Sequence, residues 1–292
     1  MNTIRSSTYR ISENIKLSDL NTNEDFGASK KELVAALEDT REQLGDLQDT
    51  LYAHGKYAVL VCLQGMDTAG KDSLIREVFK DFNARGVVVH SFKVPTDLER
   101  KHDYLWRHYI ALPARGKFGV FNRTHYENVL VTRVHPEYIL GENLPNVHAV
   151  EDVNDAFWND RFEQIVNFEK SIAQNGTLIF KFFLNLSKDE QKNRLIRRLE
   201  KPNKHWKFSP DDLKERKLWN KYMSCYEEVL NKTSKPQAPW FNIPADNKPA
   251  ARLLVASILL EELRNYTDIQ EPDLDPEVKA RIAEFKNQLN NE

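Results

Sequence analysis

Cysteine is scarce. Cys62 and Cys225 are the two in 292 residues, too few for a disulfide framework. Cys62 lies inside an apolar run, where a thiol is an inert core group, so a reducing cytosol is the expected compartment. The stretch Met1-Asn-Thr-Ile-Arg-Ser-Ser lacks the apolar region of a signal peptide. No apolar run approaches the ~18 residues of a membrane span, so no membrane partner is expected. Net charge is small too, −2 at pH 7, which removes any general attraction to nucleic acid. Zinc patterns are also missing. His90, His102, His108, His125, His135 and His148 form no H-E-x-x-H and no Cys/His spacing. There is no internal repeat and no low-complexity tract. A 40% apolar share over this length suffices for a sizeable core.

What the chain does contain is an alternation of strands and helices. Residues 1–27 are polar and aperiodic, and read as an arm lying on the body or on a neighbouring subunit. Leu33, Leu37, Leu44, Leu47 and Leu51 recur at helical spacing over residues 28–53. Such a helix packs beside the core or makes an oligomer contact, with a dimer or tetramer as the expected homo-oligomer. Tyr57–Leu63 is apolar throughout, as a strand covered on both faces should be. A helix is predicted over Lys71–Arg85 with Gly86 as its C-cap. The second strand is Val87–Val94, followed by a helix over residues 97–111. The third strand is Lys117–Arg123, followed by a helix or irregular turn to Pro136 and a loop over residues 137–153. Then come a helix at Ala156–Gln174 and a fourth strand at Thr177–Leu184. Ser187 and Glu190 form a capping box for the next helix. A basic loop, Pro202–Phe208, leads into a helix begun by Ser209 and Pro210. The fifth strand is Pro239–Pro244, a helix spans Lys248–Asn265, and residues 269–292 form a polar helical tail. This order implies one α/β domain, residues 28–268, built on a parallel five-stranded sheet.

The chemistry concentrates in Gly65-Met-Asp-Thr-Ala-Gly-Lys-Asp72, which fits G-x-x-x-x-G-K between a strand and a helix. Backbone N–H groups of Gly65, Met66, Thr68, Ala69 and Gly70 would cradle an anion at a helix N-terminus. Lys71 would neutralise a phosphoryl oxygen. The usual Ser or Thr after the lysine is Asp72, with Ser73 one place later. Asp72 either caps the helix or supports a metal. Asp67, inside the loop, faces the acceptor or the metal. Where neighbouring strands usually end in a magnesium-holding acid, this chain has Asn122. Glu127 and Asp67 are therefore the candidate carboxylates, and Arg123 the candidate phosphoryl contact. Arg194 and Arg198 share a helix face at i, i+4, with Arg197 beside them. They suit a lid, about residues 187–215, that closes over transferring charge. Further cations, Lys93, Arg107, Arg115, Lys117 and Arg133, exceed what one nucleotide needs, and Lys93 and Arg133 are carried forward as anion contacts. Trp206 is the one tryptophan placed to touch a substrate.

Four segments resemble the polyphosphate kinase 2 family. They are the loop above, Val120-Phe-Asn-Arg-Thr-His-Tyr-Glu127-Asn-Val-Leu-Val-Thr-Arg-Val-His135, His205-Trp-Lys-Phe-Ser-Pro-Asp-Asp212 and Ala238-Pro-Trp240. The resemblance spans about residues 30–265. It implies a three-layer, thymidylate-kinase-like P-loop kinase fold with a helical lid. It also implies transfer of a terminal phosphoryl group between inorganic polyphosphate and adenine or guanine nucleotides, with magnesium or manganese as cofactor. Asp67 and Lys71 match the family's loop acid and lysine, Arg123 its second-motif arginine, and Arg198 or Arg194 its lid arginine. Many members carry Phe-Asp-Arg where this chain has Phe121-Asn122-Arg123. Together with Glu127, that departure resembles the class III branch, which accepts nucleoside mono- and diphosphates. Two rival readings stand beside it: an ATP-dependent small-molecule kinase, and a non-catalytic nucleotide-binding P-loop module.

Overall fold

Residues 1–12 and 14–292 are described by a computed structural model. The strands are β1 (Ala58–Gln64), β2 (Val87–Ser91), β3 (Phe118–Asn122), β4 (Thr177–Asn185) and β5 (Trp240–Pro244). They form one sheet in the order β2-β3-β1-β4-β5, with every pairing parallel. β1 is buried at all its positions, which is why it reads as an unbroken apolar run. Leu63 pairs with Asn122, so β1 and β3 leave the sheet side by side at their carboxyl ends. Open α/β sheets bind ligands at those ends.

The main helices are α1 (Lys30–His54), α2 (Lys71–Val78), α3 (Glu127–Val134), α4 (Asp155–Gln174), α5 (Lys188–Glu200), α6 (Pro210–Lys217), α7 (Trp219–Thr233) and α8 (Lys248–Arg264). Ser29 and Glu32 close a capping box at the start of α1. Leu33, Leu37, Leu44 and Leu51 then bury one stripe of α1 in the core formed with α8. Each such leucine stabilises the fold by roughly 1.5–3 kcal/mol. α3, α4 and α7 cover the opposite face with a second apolar cluster. The result is helix, sheet, helix.

Several expected elements are shorter or broken. The helix from Lys71 ends at Val78, and Gly86 belongs to a 3-10 turn, Ala84–Gly86, not to a helix cap. Gly86 is there to make room: a Cβ would lie 1.6 Å from Gln48 Nε2. Gln48 Oε1 in turn accepts the Asn83 N–H at 2.9 Å. Residues 97–111 form two short helices, Asp97–Arg100 and Trp106–Tyr109, because Asp103 accepts the Leu105 N–H and starts a new turn. Residues 137–153 hold 3-10 turns at Pro136–Glu142 and Val150–Asp152. The basic loop is likewise a 3-10 turn, Pro202–Lys207. Ser187 caps α5 through its hydroxyl, but its own N–H goes to Asp246 at 2.8 Å, so the box is half made.

The N-terminal residues run over the body. Ile11 N–H donates to Trp240 O at 2.8 Å, and Arg10 bridges Phe241 antiparallel, covering the β5 edge. Ser6 N–H donates to Glu261 and Leu17 N–H to Glu227, both at 2.7 Å. The tail forms exposed helices Pro276–Ala280 and Ile282–Asn290. Among the described residues, no helix is long and apolar enough to cross a membrane.

Candidate active site

Gly65 leaves β1 at φ 153°, and a Cβ there would meet Leu184 O at 2.8 Å, so only glycine fits. Thr68 stands at φ 66°, left-handed for a β-branched residue, a strain of about 1–3 kcal/mol. Gly70, at φ 108°, opens α2. Lys71 Nζ folds back onto the loop, donating to Gly65 O at 2.6 Å and Met66 O at 3.4 Å. Burial and the neighbouring Arg123 guanidinium push Lys71 below the usual lysine range. Ser73 Oγ donates to Gly70 O at 2.9 Å.

The turn after β3 faces this loop. Arg123, itself at φ 61°, places its guanidinium 3.1 Å from Asp67 and 3.7 Å from Glu127. Burial opposes its charge, but Glu127 and Asp67 outweigh burial and hold Arg123 above its ordinary range. Gln64 Nε2 donates to Glu127 at 3.0 Å. The residues between point inward. Tyr126 Oη donates to Glu169 at 2.8 Å. Lys181 Nζ donates to Glu169 at 2.7 Å and to Tyr126 Oη and Thr233 O at 2.8 Å, using all three of its N–H donors. A buried network thus pins His125 and Tyr126 while Arg123 and Glu127 face out. At the strand end, Asn122 Nδ2 donates to Asp72 Oδ1 at 2.8 Å. The carboxylate thus stands on the helix, where a hydroxyl is usual, and an amide stands on the strand, where an acid is usual.

α5, the 3-10 turn and α6 overhang a cleft of about 630 Å³. Its walls carry Lys71, Arg76, Arg123, Arg197, Arg198, Lys201, Lys204, Lys207, Lys248 and Arg252. Arg198 donates to Asp212 at 2.9 Å and to Lys207 O at 2.8 Å. Burial and the Asp67 carboxylate raise Asp212 above the usual carboxylate range. Lys248 is pushed down to about 8, by burial first and then by Arg194, Arg197, Arg252 and Lys204. Trp206 lines the cleft and is 78% exposed. A concavity of similar size, about 620 Å³, is lined by Glu38, Asp39, Glu42, Asp46, Asp49 and Asp81 with Arg41, a net negative wall unsuited to phosphate.

Asp67, Thr68, Gly70, Lys71, Asp72, Ser73, Asn122, Arg123 and Arg198 all line the one cleft, and Glu127 stands behind Arg123. Gly65, Met66 and Ala69 form the loop's inner side, with Met66 and Ala69 buried. Three expected anion contacts lie outside the cleft or have their donors engaged by the protein. Lys93 is exposed outside the cleft lining, and its carbonyl accepts from Arg107 at 2.9 Å. Arg133 pairs with Glu228 over the Trp158 and Phe162 rings, because that side of α3 faces α7 and α4. Arg194 reaches the cleft floor, but protein groups take all its donors. Nε donates to Glu190 at 2.8 Å, Nη1 to Thr68 O and Ala69 O, and Nη2 to Ala245 O and Asp246 O. Conversely, Arg76, Lys248 and Arg252 were not among the expected residues. The i, i+4 spacing of Lys248 and Arg252 at a helix start was the available signal.

The sequence model of the family described as "Polyphosphate kinase 2" matches residues 27–271. An ADP-polyphosphate phosphotransferase of Rhodopseudomonas palustris is 43% identical over 264 residues, covering 90% of each chain. An AMP/ADP-polyphosphate phosphotransferase of Meiothermus ruber is 44% identical over 238 residues, 82% of this chain and 84% of that protein. The crystal structure of polyphosphate kinase 2 from Arthrobacter aurescens superimposes with a TM-score of 0.87 at 37% identity, covering 96% of this chain and 95% of that one.

Proposed function

The chain belongs to the polyphosphate kinase 2 family, and from that premise we propose that it moves the terminal phosphoryl group of inorganic polyphosphate onto AMP and ADP. The observation that carries this reading is the cleft. Its cations begin at the phosphate loop and continue past it to Lys201, Lys204 and Arg252, further than a nucleotide's own phosphates require.

In this reading the polyphosphate end lies over residues 65–71, with Lys71 on the transferring group. A terminal oxygen of the acceptor phosphate attacks, a P–O bond to the acceptor forms, the anhydride bond to the chain breaks, and the chain leaves one unit shorter. Arg123 spans the two carboxylates and faces the developing charge, and Arg198 approaches from the lid. Positioning and electrostatics suffice, with no covalent intermediate on the protein. The bond broken and the bond formed are alike, so the transfer is proposed to be reversible.

Magnesium, with manganese as substitute, is part of the proposal. Among the described residues, no group of three or more His, Cys, Asp or Glu side chains is placed to hold a metal. Magnesium typically takes one or two carboxylates and completes its shell with phosphate oxygens and water. Asp67 and Glu127, flanking one guanidinium, fit that partial role, and Asn122, whose Nδ2 is spent on Asp72, has its Oδ1 to offer as a third oxygen. Bound there, the ion would neutralise phosphate charge.

The test is ATP formation from polyphosphate and ADP, and ADP formation from AMP, with polyphosphate as the sole phosphoryl source. Wild type should form both products, and Lys71→Ala should lose activity at least about 100-fold. Turnover with ATP and a metabolite, but none with polyphosphate, would reject the proposal.

A further inference from the structure

We propose that Gln191 and Arg194, on the first turns of α5, are positioning residues that set the peptide orientation of the phosphate loop. The proposal rests on the reading that this loop seats polyphosphate. Gln191 Nε2 donates to Asp67 O at 3.1 Å. Arg194 Nη1 donates to Thr68 O at 3.0 Å and Ala69 O at 2.9 Å. Three consecutive carbonyls therefore turn toward one helix.

The chain contains no cis peptide among the described residues, and across a trans peptide the carbonyl and the next N–H point oppositely. Fixing those three carbonyls turns the N–H groups of Thr68, Ala69 and Gly70 away from α5. The Ala69 N–H is used within the loop, on Met66 O at 3.1 Å. Those of Thr68 and Gly70, which line the cleft, meet no acceptor among the described residues and are left for an anion.

The loop has reason to need such restraint. Thr68 is held at φ 66°, and its hydroxyl is buried without a hydrogen-bond partner, so the residue does not stabilise this conformation itself. The restraint is rigid. Gln191 and Arg194 are 1% and 5% exposed. Arg216 donates to Gln191 Oε1 at 2.7 Å, which fixes which end of the amide faces Asp67. The other Arg194 nitrogen is tied to Ala245 O at 2.6 Å, just past β5. Arg194 thus acts through three peptides and never needs to touch the substrate.

Calorimetric titration with inorganic tripolyphosphate, well below the melting temperature, tests this on wild type, Gln191→Glu, Gln191→Met and Arg194→Lys. Gln191→Glu keeps the acceptor for Arg216, turns an oxygen toward Asp67 O in place of the donor and adds a negative charge, so the uncharged Gln191→Met separates the lost hydrogen bond from repulsion of the polyanion. Gln191→Met is the uncharged isostere should the carboxylate prevent folding. Each variant should bind at least about tenfold more weakly, the size of one misoriented donor. Hydrogen exchange should show tripolyphosphate protecting the amides of residues 66–71 in wild type and failing to do so in the variants. A lowered melting temperature with unchanged affinity and protection would mean a purely structural role and overturn the proposal. Wild type that ignores tripolyphosphate would overturn the functional reading, and this inference with it.

Discussion

Lys248 is half-buried among four cations, and its amine titrates near 8 in place of the usual lysine value. A bound polyanion would supply the opposite charge it lacks and raise that value. Binding then takes up a proton, so affinity is full below pH 8 and falls as pH rises through it. Titrations of polyphosphate on both sides of pH 8 should show that slope, and Lys248→Met should weaken binding at low pH and flatten the profile. No sequence pattern announces this behaviour, because the four neighbours arrive from α5, the lid turn and α8 itself. Asp72 is the opposite case. Its departure from the P-loop pattern was visible at once, but its 2.8 Å bond to Asn122 needed β3 beside α2. Neither residue alone reveals that the carboxylate has moved to the helix while an amide stands at the strand end.

The lid is the element on which turnover should depend. Arg198 is held by Asp212 and by Lys207 O, so the arginine is aimed by the two segments that follow it. Arg198→Ala should lower kcat by about 10²–10³ with a smaller change in KM, since developing charge gains most from a preorganised cation. Asp212→Asn should lower kcat less, keeping a hydrogen-bond acceptor while losing the charge pair. Steady-state kinetics with polyphosphate and ADP measures both. The sequence shows α5 clearly, through Ser187 and its leucine and arginine spacing. It does not show which arginine faces solvent. Arg194 and Arg198 are one turn apart, yet the first is consumed by the loop's carbonyls and the second by the lid. Helix periodicity reports a shared face, not what meets that face. Residues 71–86 are similar: α2 ends at Val78, and beyond it Gln48 of α1 holds the Asn83 N–H, a partner from another helix that local pattern does not show.

At the scale of the whole molecule, the parallel sheet was legible because both faces are covered and its central strands read as unbroken apolar runs. The exception is Lys181, fully buried inside β4 and opposite Glu169 of α4. Its place in an apolar strand looks like noise until Tyr126, Thr233 and Glu169 surround it. Glu169→Gln leaves that ammonium without a counter-charge and should destabilise the fold by about 3–5 kcal/mol, whereas Glu169→Gln with Lys181→Met should recover most of that loss. Thermal and denaturant unfolding would read both. The arm over β5 bears on the order of assembly. A ribosome releases residues 6–17 before their seats, Glu227, Trp240 and Glu261. The Ser6–Glu261 contact spans 255 positions of chain. Until those seats emerge, the arm has nowhere to lie and β5 has no cover. The earlier-made segment therefore docks late, and its arrival joins residues 6–17 to residues 227–261 in one closed circuit.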